Sequence, residues 1–257
     1  MTSLSKMLNV LNMFGPNSLL LDVDSIADGM GLSRATAYRY VKELCESGLL
    51  SRVDGQYTLG PRIIELDWMM RRYDPLLSNG RDIISELCKT TGLNVYISVF
   101  YDGHIINTYI NSPDTEAGFS FGRGQPLPLF KGAQSKVLVS YQKGRKLKKL
   151  FHEAIENSDE YDFTWKSFSQ VTRSIRQDGY CITHDELNSG LTGIAAPIIK
   201  PGTEDILGSI AAVGGTSSFQ LLRHEAVIEL VKSAANRIAA RIVSSDSDKA
   251  DAADQPA

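Results

Sequence analysis

Hydroxyl-bearing and basic side chains gather in one short stretch of the chain, and their chemistry suits contacts with phosphates and nucleobases. Ser33 and Thr36 offer hydroxyl groups, and Arg34 and Arg39 each carry a guanidinium group that can donate two hydrogen bonds to a guanine. The side chain of Ala35 is small, which would let this stretch lie close to a nucleic-acid groove. The remaining candidates for such contacts are Tyr38, Lys42 and Arg52.

The third of three predicted helices positions this set. Ser33 is a good helix N-cap, the helix is predicted over 33–47, and Gly48 is typical of a helix end. The apolar residues that recur at helical spacing predict its buried face, and they are Ala37, Val41 and Leu44, with Tyr40 at the edge. The candidate contacts then lie mainly on the exposed face.

The order of elements over 1–60 is typical of a winged helix-turn-helix. A first helix is predicted to end before Gly15, a second covers 23–29, and a tight turn at Gly31 leads into the third. Asp54-Gly55 then separates two short alternating runs, which is a strong signal for a β-hairpin. A small helical domain that binds no nucleic acid can have the same order, so the order alone does not decide between the two.

Charge neither requires nor excludes DNA binding. The formal net charge of the 257 residues is −3, yet residues 1–75 hold 8 Lys and Arg against 9 Asp and Glu. Four Asp and one Lys lie in 246–257, so the end of the chain accounts for the acidic excess. That end lacks aromatic and β-branched residues, and we expect a disordered acidic tail over 244–257.

The rest of the chain predicts a second domain. Residues 61–75 are expected to form a linker helix between Pro61 and Pro75. Two alternating runs, Asn94–Tyr101 and His104–Asn111, flank an Asp-Gly turn and predict another hairpin. Strands mixed with flanking helices indicate an α+β domain on an antiparallel sheet over 76–243. Further predicted elements are a strand at 116–121, a helix at 128–142 and a last helix at 221–243.

Signatures of enzymes and metal sites are missing from the sequence. The four histidines form no metal-spaced pair, and no phosphate-binding Gly-Lys-Ser/Thr or GxSxG motif occurs. His184-Asp185-Glu186 has acid and base groups, but a polar strand end is the preferred interpretation. We therefore expect no catalytic residues, no metal and no cofactor.

Cysteine use and hydropathy indicate a cytoplasmic protein. Cys45, Cys88 and Cys181 are far apart and odd in number, which is typical of reduced thiols. No stretch reaches the ~18 apolar residues of a membrane span, so no membrane partner is expected.

The stretch DSIADGMGLSRATAYRYVKELCESGLLSR, at 24–52, resembles the N-terminal domain of the IclR family of bacterial transcriptional regulators. Tyr57-Thr58-Leu59-Gly60 is similar to the Tyr-x-Leu-Gly at the wing of that family. The resemblance covers roughly residues 3–243, and its later motifs are Gly124 to Pro128, Gly179-Tyr180, Asp185-Glu186, Gly190, Ala195-Ala196-Pro197 and Gly214. It implies a winged helix-turn-helix joined by a linker helix to a GAF-like effector domain.

The resemblance also implies where an effector would bind. The candidates are Lys131, Gly132, Ala133, Gln134, Thr183, Asp185, Leu191, Gly193, Ala211 and Val213. Ala211 and Val213 stand where acid-binding members of the family often have serines, which removes hydrogen-bond donors for a small carboxylate. We therefore expect a larger or more apolar effector, such as an aromatic or otherwise larger organic acid. Ordinary strand packing is the alternative role for these residues.

Two functional hypotheses follow. The first is a ligand-responsive regulator that binds double-stranded DNA as a homodimer, or as a dimer of dimers, since two recognition helices must reach successive major grooves. Its effector shifts the population between DNA-competent and incompetent arrangements, as a repressor or an activator. The second is a small-molecule-binding or catalytic α+β protein whose N-terminal helices mediate only protein contacts.

Overall fold

The structure is a computed structural model that describes residues 2–113, 122–156 and 164–253. The chain forms two compact units, residues 1–74 and 75–257. The strand expected at 116–121 lies outside the described residues.

The first unit has the element order expected of a winged helix-turn-helix. Its helices and strands are α1 (Ser3–Asn9), a 3₁₀ turn (Val10–Met13), α2 (Val23–Met30), α3 (Arg34–Glu46), β1 (Leu50–Val53), β2 (Gln56–Leu59) and α4 (Arg62–Tyr73). Strands β1 and β2 pair antiparallel, from Leu50 opposite Leu59 to Val53 opposite Gln56. Asp54 and Gly55 between them both have positive φ, at 49° and 85°, as a tight two-residue hairpin turn requires.

Local chemistry explains where these helices begin. The Asp22 carboxylate accepts a hydrogen bond of 2.7 Å from the backbone N–H of Ser25 at the start of α2. Gly31, at φ 61°, ends α2 in the left-handed region that favours glycine. Tyr40, which the sequence places at the edge of the α3 apolar face, is buried in the core of the first unit, and its hydroxyl lies within hydrogen-bond distance of Ser3 Oγ on α1, at 2.9 Å.

The second unit is built on a six-stranded antiparallel sheet in the order β5-β4-β3-β8-β7-β6. Its strands are β3 (Asn94–Tyr101), β4 (His104–Asn111), β5 (Pro126–Leu127), β6 (Cys181–His184), β7 (Leu191–Ile199) and β8 (Ile206–Gly215). Its helices are α5 (Pro75–Thr91), α6 (Ala133–Ser140), α7 (Gly144–Glu156), α8 (Trp165–Asp178), α9 (Thr216–Gln220) and α10 (His224–Ala253). The expected hairpin of β3 and β4 and the α+β class are confirmed.

Alternation along the strands divides the sheet into two buried faces. Val95 and Ile97 of β3 and Ala212 of β8 point to one face, where α5 and α10 cover them. Ala211 and Val213 of β8 point to the other face, where α6 packs over β7 and β8. This second face carries the polar residues described below.

Two helices differ from the sequence expectation. Helix α6, expected over 128–142, covers only Ala133–Ser140, and the last helix, expected to begin at Leu221, begins at His224 as α10. Helix α10 continues to Ala253 where a disordered tail is expected from 244. The hydroxyls of Ser244 and Ser245 donate to the carbonyls of Ala240 and Ile242, and the alanines that follow favour a helix. Residues 254–257 lie outside the described part of the chain.

In the described part of the chain, no helix combines the length and apolarity needed to cross a bilayer.

Candidate functional site

A concave surface lies between the start of α3 and the β1–β2 hairpin in the first unit. Of the eight candidate DNA contacts, Arg34, Ala35, Tyr38 and Arg52 line it. Arg39 and Lys42 are exposed further along α3. The same helix buries Ala37, Val41 and Leu44 on its other side, which keeps the candidate face turned outward.

Ser33 and Thr36 have a structural role in addition to the one expected. The Ser33 hydroxyl accepts the backbone N–H of Thr36 at 3.3 Å, and the two hydroxyl oxygens lie 2.9 Å apart. These contacts cap α3. Both hydroxyls lie at the N-terminus of the helix, where its dipole favours a phosphate.

Acidic side chains lie on the same concave surface. Arg34 Nε is 3.1 Å from Asp24 Oδ1, and both side chains are largely exposed. Asp22 also lines the surface, and hydrogen bonds from Ser25 hold the pKa of its carboxyl below the usual range. Lys42 is 3.7 Å from Glu46 on the exposed side of α3. The concave surface is therefore of mixed charge, with Arg34 and Arg52 as its cations and Asp22 and Asp24 as its acids.

The second unit contains a cavity between the α6 face of the sheet, α6 and the 186–191 segment. Its enclosed volume is about 40 Å³, well below the roughly 300–1,000 Å³ typical of ligand pockets, so a bound organic molecule requires it to widen. Its lining residues are Tyr96, Asn107, Leu127, Gln134, Thr183, Glu186, Leu187, Asn188, Leu191, Thr192, Gly193 and Val213.

Tyr96, Gln134 and Thr183 are among the polar lining residues that are more than nine-tenths buried. Tyr96 is 4 % exposed, Gln134 4 % and Thr183 7 %. None of these three side chains hydrogen-bonds to any residue that the structure describes. Burial raises the pKa of the Tyr96 hydroxyl, which keeps it a neutral donor at physiological pH.

One ion pair joins the 186–191 segment to α6. The Glu186 carboxylate pairs with the ammonium group of Lys136 and accepts the backbone N–H of Gly132 at 2.9 Å. Leu187 packs directly on Gly132, since a Cβ there would lie 2.6 Å from Leu187 Cδ1. Gly132 also has φ 84°, so this position requires glycine.

Asn107 and Thr192, the other fully buried polar residues of the cavity lining, have hydrogen-bond partners. Ser98 donates a 2.7 Å hydrogen bond to Asn107 Oδ1, and both residues are fully buried on the sheet. Thr192 Oγ1 lies 2.9 Å from His184 Nδ1 and 3.1 Å from Thr216 Oγ1. These bonds fix the side of the cavity formed by β4 and β7.

Two family models match this chain. The helix-turn-helix domain of IclR matches residues 3–54, and the C-terminal domain of the bacterial transcriptional regulator IclR matches residues 74–240. The chain belongs to the IclR family. It is accordingly a ligand-responsive, DNA-binding transcriptional regulator with an effector domain after its helix-turn-helix.

Curated relatives of this IclR-family protein are similar along most of their length. The p-hydroxybenzoate hydroxylase transcriptional activator of Acinetobacter baylyi is 25% identical over 204 residues, which is 77% of this chain and 75% of the relative. The glycerol operon regulatory protein of Streptomyces coelicolor is 26% identical over 253 residues, or 95% of each.

Solved structures share the fold. A putative IclR transcriptional regulator from a Silicibacter species has a TM-score of 0.80 at 20% identity, covering 94% of this chain and 96% of that one. An IclR homologue from Microbacterium hydrocarbonoxydans, crystallised with 4-hydroxybenzoate, has a TM-score of 0.74 at 18% identity, covering 95% and 100%.

The effector candidates of this IclR-family chain divide into two groups. Gln134, Thr183, Leu191, Gly193 and Val213 line the cavity. The others do not line it: Gly132 and Ala133 lie at the start of α6, Ala211 packs beneath α6, Asp185 accepts the Gly190 N–H, and Lys131 precedes Gly132.

Sequence reasoning missed several lining residues of this IclR-family cavity, namely Tyr96, Asn107, Leu127, Glu186, Leu187, Asn188 and Thr192. The Asp185-Glu186 motif could have identified Glu186 as a lining residue, whereas only the alternation along β3 pointed to Tyr96. Within the described ranges, no cluster of three or more His, Cys, Asp or Glu is placed to hold a metal ion.

Proposed function

We propose that this regulator contacts operator DNA through the exposed face of α3 and the β1–β2 hairpin, and that its effector binds in the cavity of the second unit. The observation that carries the first part is the outward set of Arg39, Lys42 and Arg52 on the helix and hairpin of the family's DNA-binding domain. Guanidinium groups there reach base edges and phosphates. The side chains at the start of α3 contact the DNA at closer range, and they are Ser33, Arg34, Ala35, Thr36 and Tyr38.

The cavity supports an effector with an apolar body. Leu127, Leu187, Leu191 and Val213 form much of its lining, and they favour a ring or another compact hydrocarbon group. An aromatic or otherwise larger organic acid is the expectation from sequence. The names of the relatives refer to p-hydroxybenzoate and to glycerol, so the family supports acids and alcohols alike as candidates.

Helix α4 supports self-association. None of its residues is buried, and four of its large apolar side chains are more than half exposed. They are Ile64, Trp68, Met70 and Tyr73. An apolar helix of this length gains little stability in water unless another surface covers it. The partner that we propose is a second copy of the chain, since a homodimer brings two α3 helices to two half-sites, and a dimer of dimers remains compatible with this contact.

We also propose that the protein binds its effector without converting it, and that it acts in the cytoplasm, where the DNA is. The charged group in the cavity lining, Glu186, is committed to Lys136 and the Gly132 N–H. Cys181 is buried, and burial raises the pKa of its thiol to about 12, so it is a poor nucleophile.

A gel-shift assay tests the DNA-binding proposal. The full-length protein should retard a fragment from upstream of its own gene, and Arg39→Ala should weaken binding at least tenfold, because a bidentate contact is lost. Arg145→Ala, which removes an exposed arginine from α7 in the other unit, should bind as the wild type does. Failure of the wild type to bind at low salt would instead favour N-terminal helices that contact only proteins.

A further inference from the structure

We propose that the 186–191 segment is a gate over the cavity of the second unit, and that the ion pair between Glu186 and Lys136 holds this gate closed. The gate rests on the proposed function, in which the cavity is the effector site. A bound organic molecule requires the cavity to widen beyond its enclosed volume of about 40 Å³. The 186–191 segment is the wall that moves to allow this.

The three walls of the cavity differ in how firmly they are held. The sheet forms the first wall, and continuous ladders of backbone hydrogen bonds hold its strands together. Helix α6 forms the second, and all of its residues except Lys136 are buried. The 186–191 segment forms the third through Glu186, Leu187 and Asn188, and none of its residues is buried. Displacing the segment therefore costs less than displacing a strand or the helix.

The two ends of the segment are tied to each other where it joins β6 and β7. The Asp185 N–H donates to the Leu191 carbonyl at 2.8 Å, and the Asp185 carboxylate accepts the Gly190 N–H. Asp185 and Gly190 both have positive φ, at 57° and 79°, so the chain turns sharply at each end. Because these bonds close the loop at its base, the residues between can move away from α6 while β6 and β7 stay paired.

A small set of contacts holds the segment against the start of α6. The Glu186 carboxylate pairs with the Lys136 ammonium group and accepts the Gly132 N–H at 2.9 Å, at the positive end of the helix. Leu187 packs on Gly132 beside them. The side chains of Lys136 and Glu186 are only 17 % and 29 % exposed, so water screens their attraction in part. This pair therefore sets how often the segment leaves α6.

Thiol labelling of the full-length protein measures how often the cavity opens. Thr183→Cys places a thiol in the cavity lining, at a position that is 7 % exposed. The native Cys88, 3 % exposed on α5 at the opposite face of the sheet, is the internal reference. The reagent is methyl methanethiosulfonate, which is small and uncharged. Mass spectrometry of the digested protein then gives the labelling rate at each thiol.

Glu186→Gln and Lys136→Met, each combined with Thr183→Cys, should raise the labelling rate in the cavity about fivefold or more, because each breaks the closing ion pair. The rate at Cys88 should stay within about twofold. The first variant removes a negative charge near the thiol and the second a positive one, so they change thiol reactivity in opposite senses. A rise with both variants therefore reports opening. Both changes together should match the faster of the two within about twofold, since they break the same contact.

Two control variants keep the ion pair. Lys136→Arg preserves the positive charge, and Glu204→Gln removes an exposed acid elsewhere in the unit, so both should label at the rate of Thr183→Cys alone. The gate is overturned if neither Glu186→Gln nor Lys136→Met accelerates labelling, or if only one does, since the two share one ion pair. An equal rise at Cys88 also overturns it, because the whole unit would then be loosened.

The labelling rates require neither DNA nor effector, so they test the gate separately from the proposed function. A full-length protein that binds no DNA at low salt fails the proposed function whatever the labelling rates are. If 4-hydroxybenzoate or glycerol changes DNA affinity equally before and after the thiol of Thr183→Cys is capped, the effector binds outside the cavity. The assignment of the cavity then fails, whereas unaccelerated labelling in a protein that responds to its effector only before capping overturns the gate alone.

Discussion

Asp24 is an acidic residue on the surface that we propose approaches DNA, and its 3.1 Å ion pair with Arg34 lowers the positive charge available there. We predict that Asp24→Asn increases DNA affinity, because it frees the Arg34 guanidinium and removes a carboxylate near the phosphates. The pair is exposed, so an effect of about 0.2–1 kcal/mol is expected, which corresponds to a change of roughly 1.4-fold to fivefold in Kd. Fluorescence anisotropy at low salt measures it, and the gain should diminish as salt increases.

Asp28→Asn is the matched control for this prediction. Asp28 lies one turn further along α2, is exposed and does not line the concave surface. The same change in net charge at this position should leave DNA affinity nearly unaltered. A fall in affinity on Asp24→Asn would contradict the prediction, and it would show that Asp24 holds Arg34 in its binding geometry.

Individual site residues could be predicted only where a local motif identified them. Gln134 lies in the first turn of α6 and Thr183 and Gly193 lie in recognisable segments, and all three line the cavity. Tyr96 and Asn107 lie on the cavity face of β3 and β4, and the pairing of these strands includes a register shift between Ile97 and Ser98. Which residues two paired strands bring to one cavity is a tertiary property, so local motifs in the sequence did not identify these two residues.

The junction between the β1–β2 hairpin and α4 depends on one glycine. The Gly60 N–H donates to the Leu49 carbonyl at 2.8 Å, and a Cβ on Gly60 would lie 2.1 Å from the Gly48 carbonyl oxygen. We predict that Gly60→Ala forces the backbones apart and destabilises the first unit by about 1–3 kcal/mol. Calorimetry should show its transition lowered by roughly 4–8 °C for each kcal/mol, with the second unit unchanged.

Gly15→Ala is the control for Gly60→Ala. Nothing lies within 4 Å of a Cβ at Gly15, and its φ is not positive, so this variant should unfold like the wild type. Equal stability of the two variants would show that the junction relaxes without cost, contrary to the prediction.

Elements with strong local signals were predicted more accurately than those set by packing. Gly31 ends α2 and Ser33 begins α3 as expected, since capping and positive φ depend on neighbouring residues. The helix expected at 128–142 begins only at Ala133, because Gly132 at φ 84° packs against Leu187 from a distant segment. The last helix expected at 221–243 instead begins at His224, after the separate turn of α9.

At the scale of the whole molecule, we propose that regulation uses two copies of the DNA-binding unit, because one α3 helix would contact only one half-site. A dimer holds the second helix at a high effective concentration once the first has bound. The exposed apolar residues of α4 are the surface that we propose for this contact. Loss of this contact between the two copies should therefore weaken DNA binding far more than loss of any one residue that contacts the DNA.

We predict that Ile64→Glu combined with Trp68→Glu converts the protein to a monomer. These side chains are 73 % and 59 % exposed, so the change should not disturb the fold of the chain, whereas two carboxylates in an apolar interface would be buried without partners. Sedimentation velocity should show half the mass, and DNA affinity should fall more than tenfold. Leu221→Glu, at a position 89 % exposed in the second unit, should leave both unchanged. A double variant that remains dimeric would exclude α4 as the contact and require the second unit to hold the copies together.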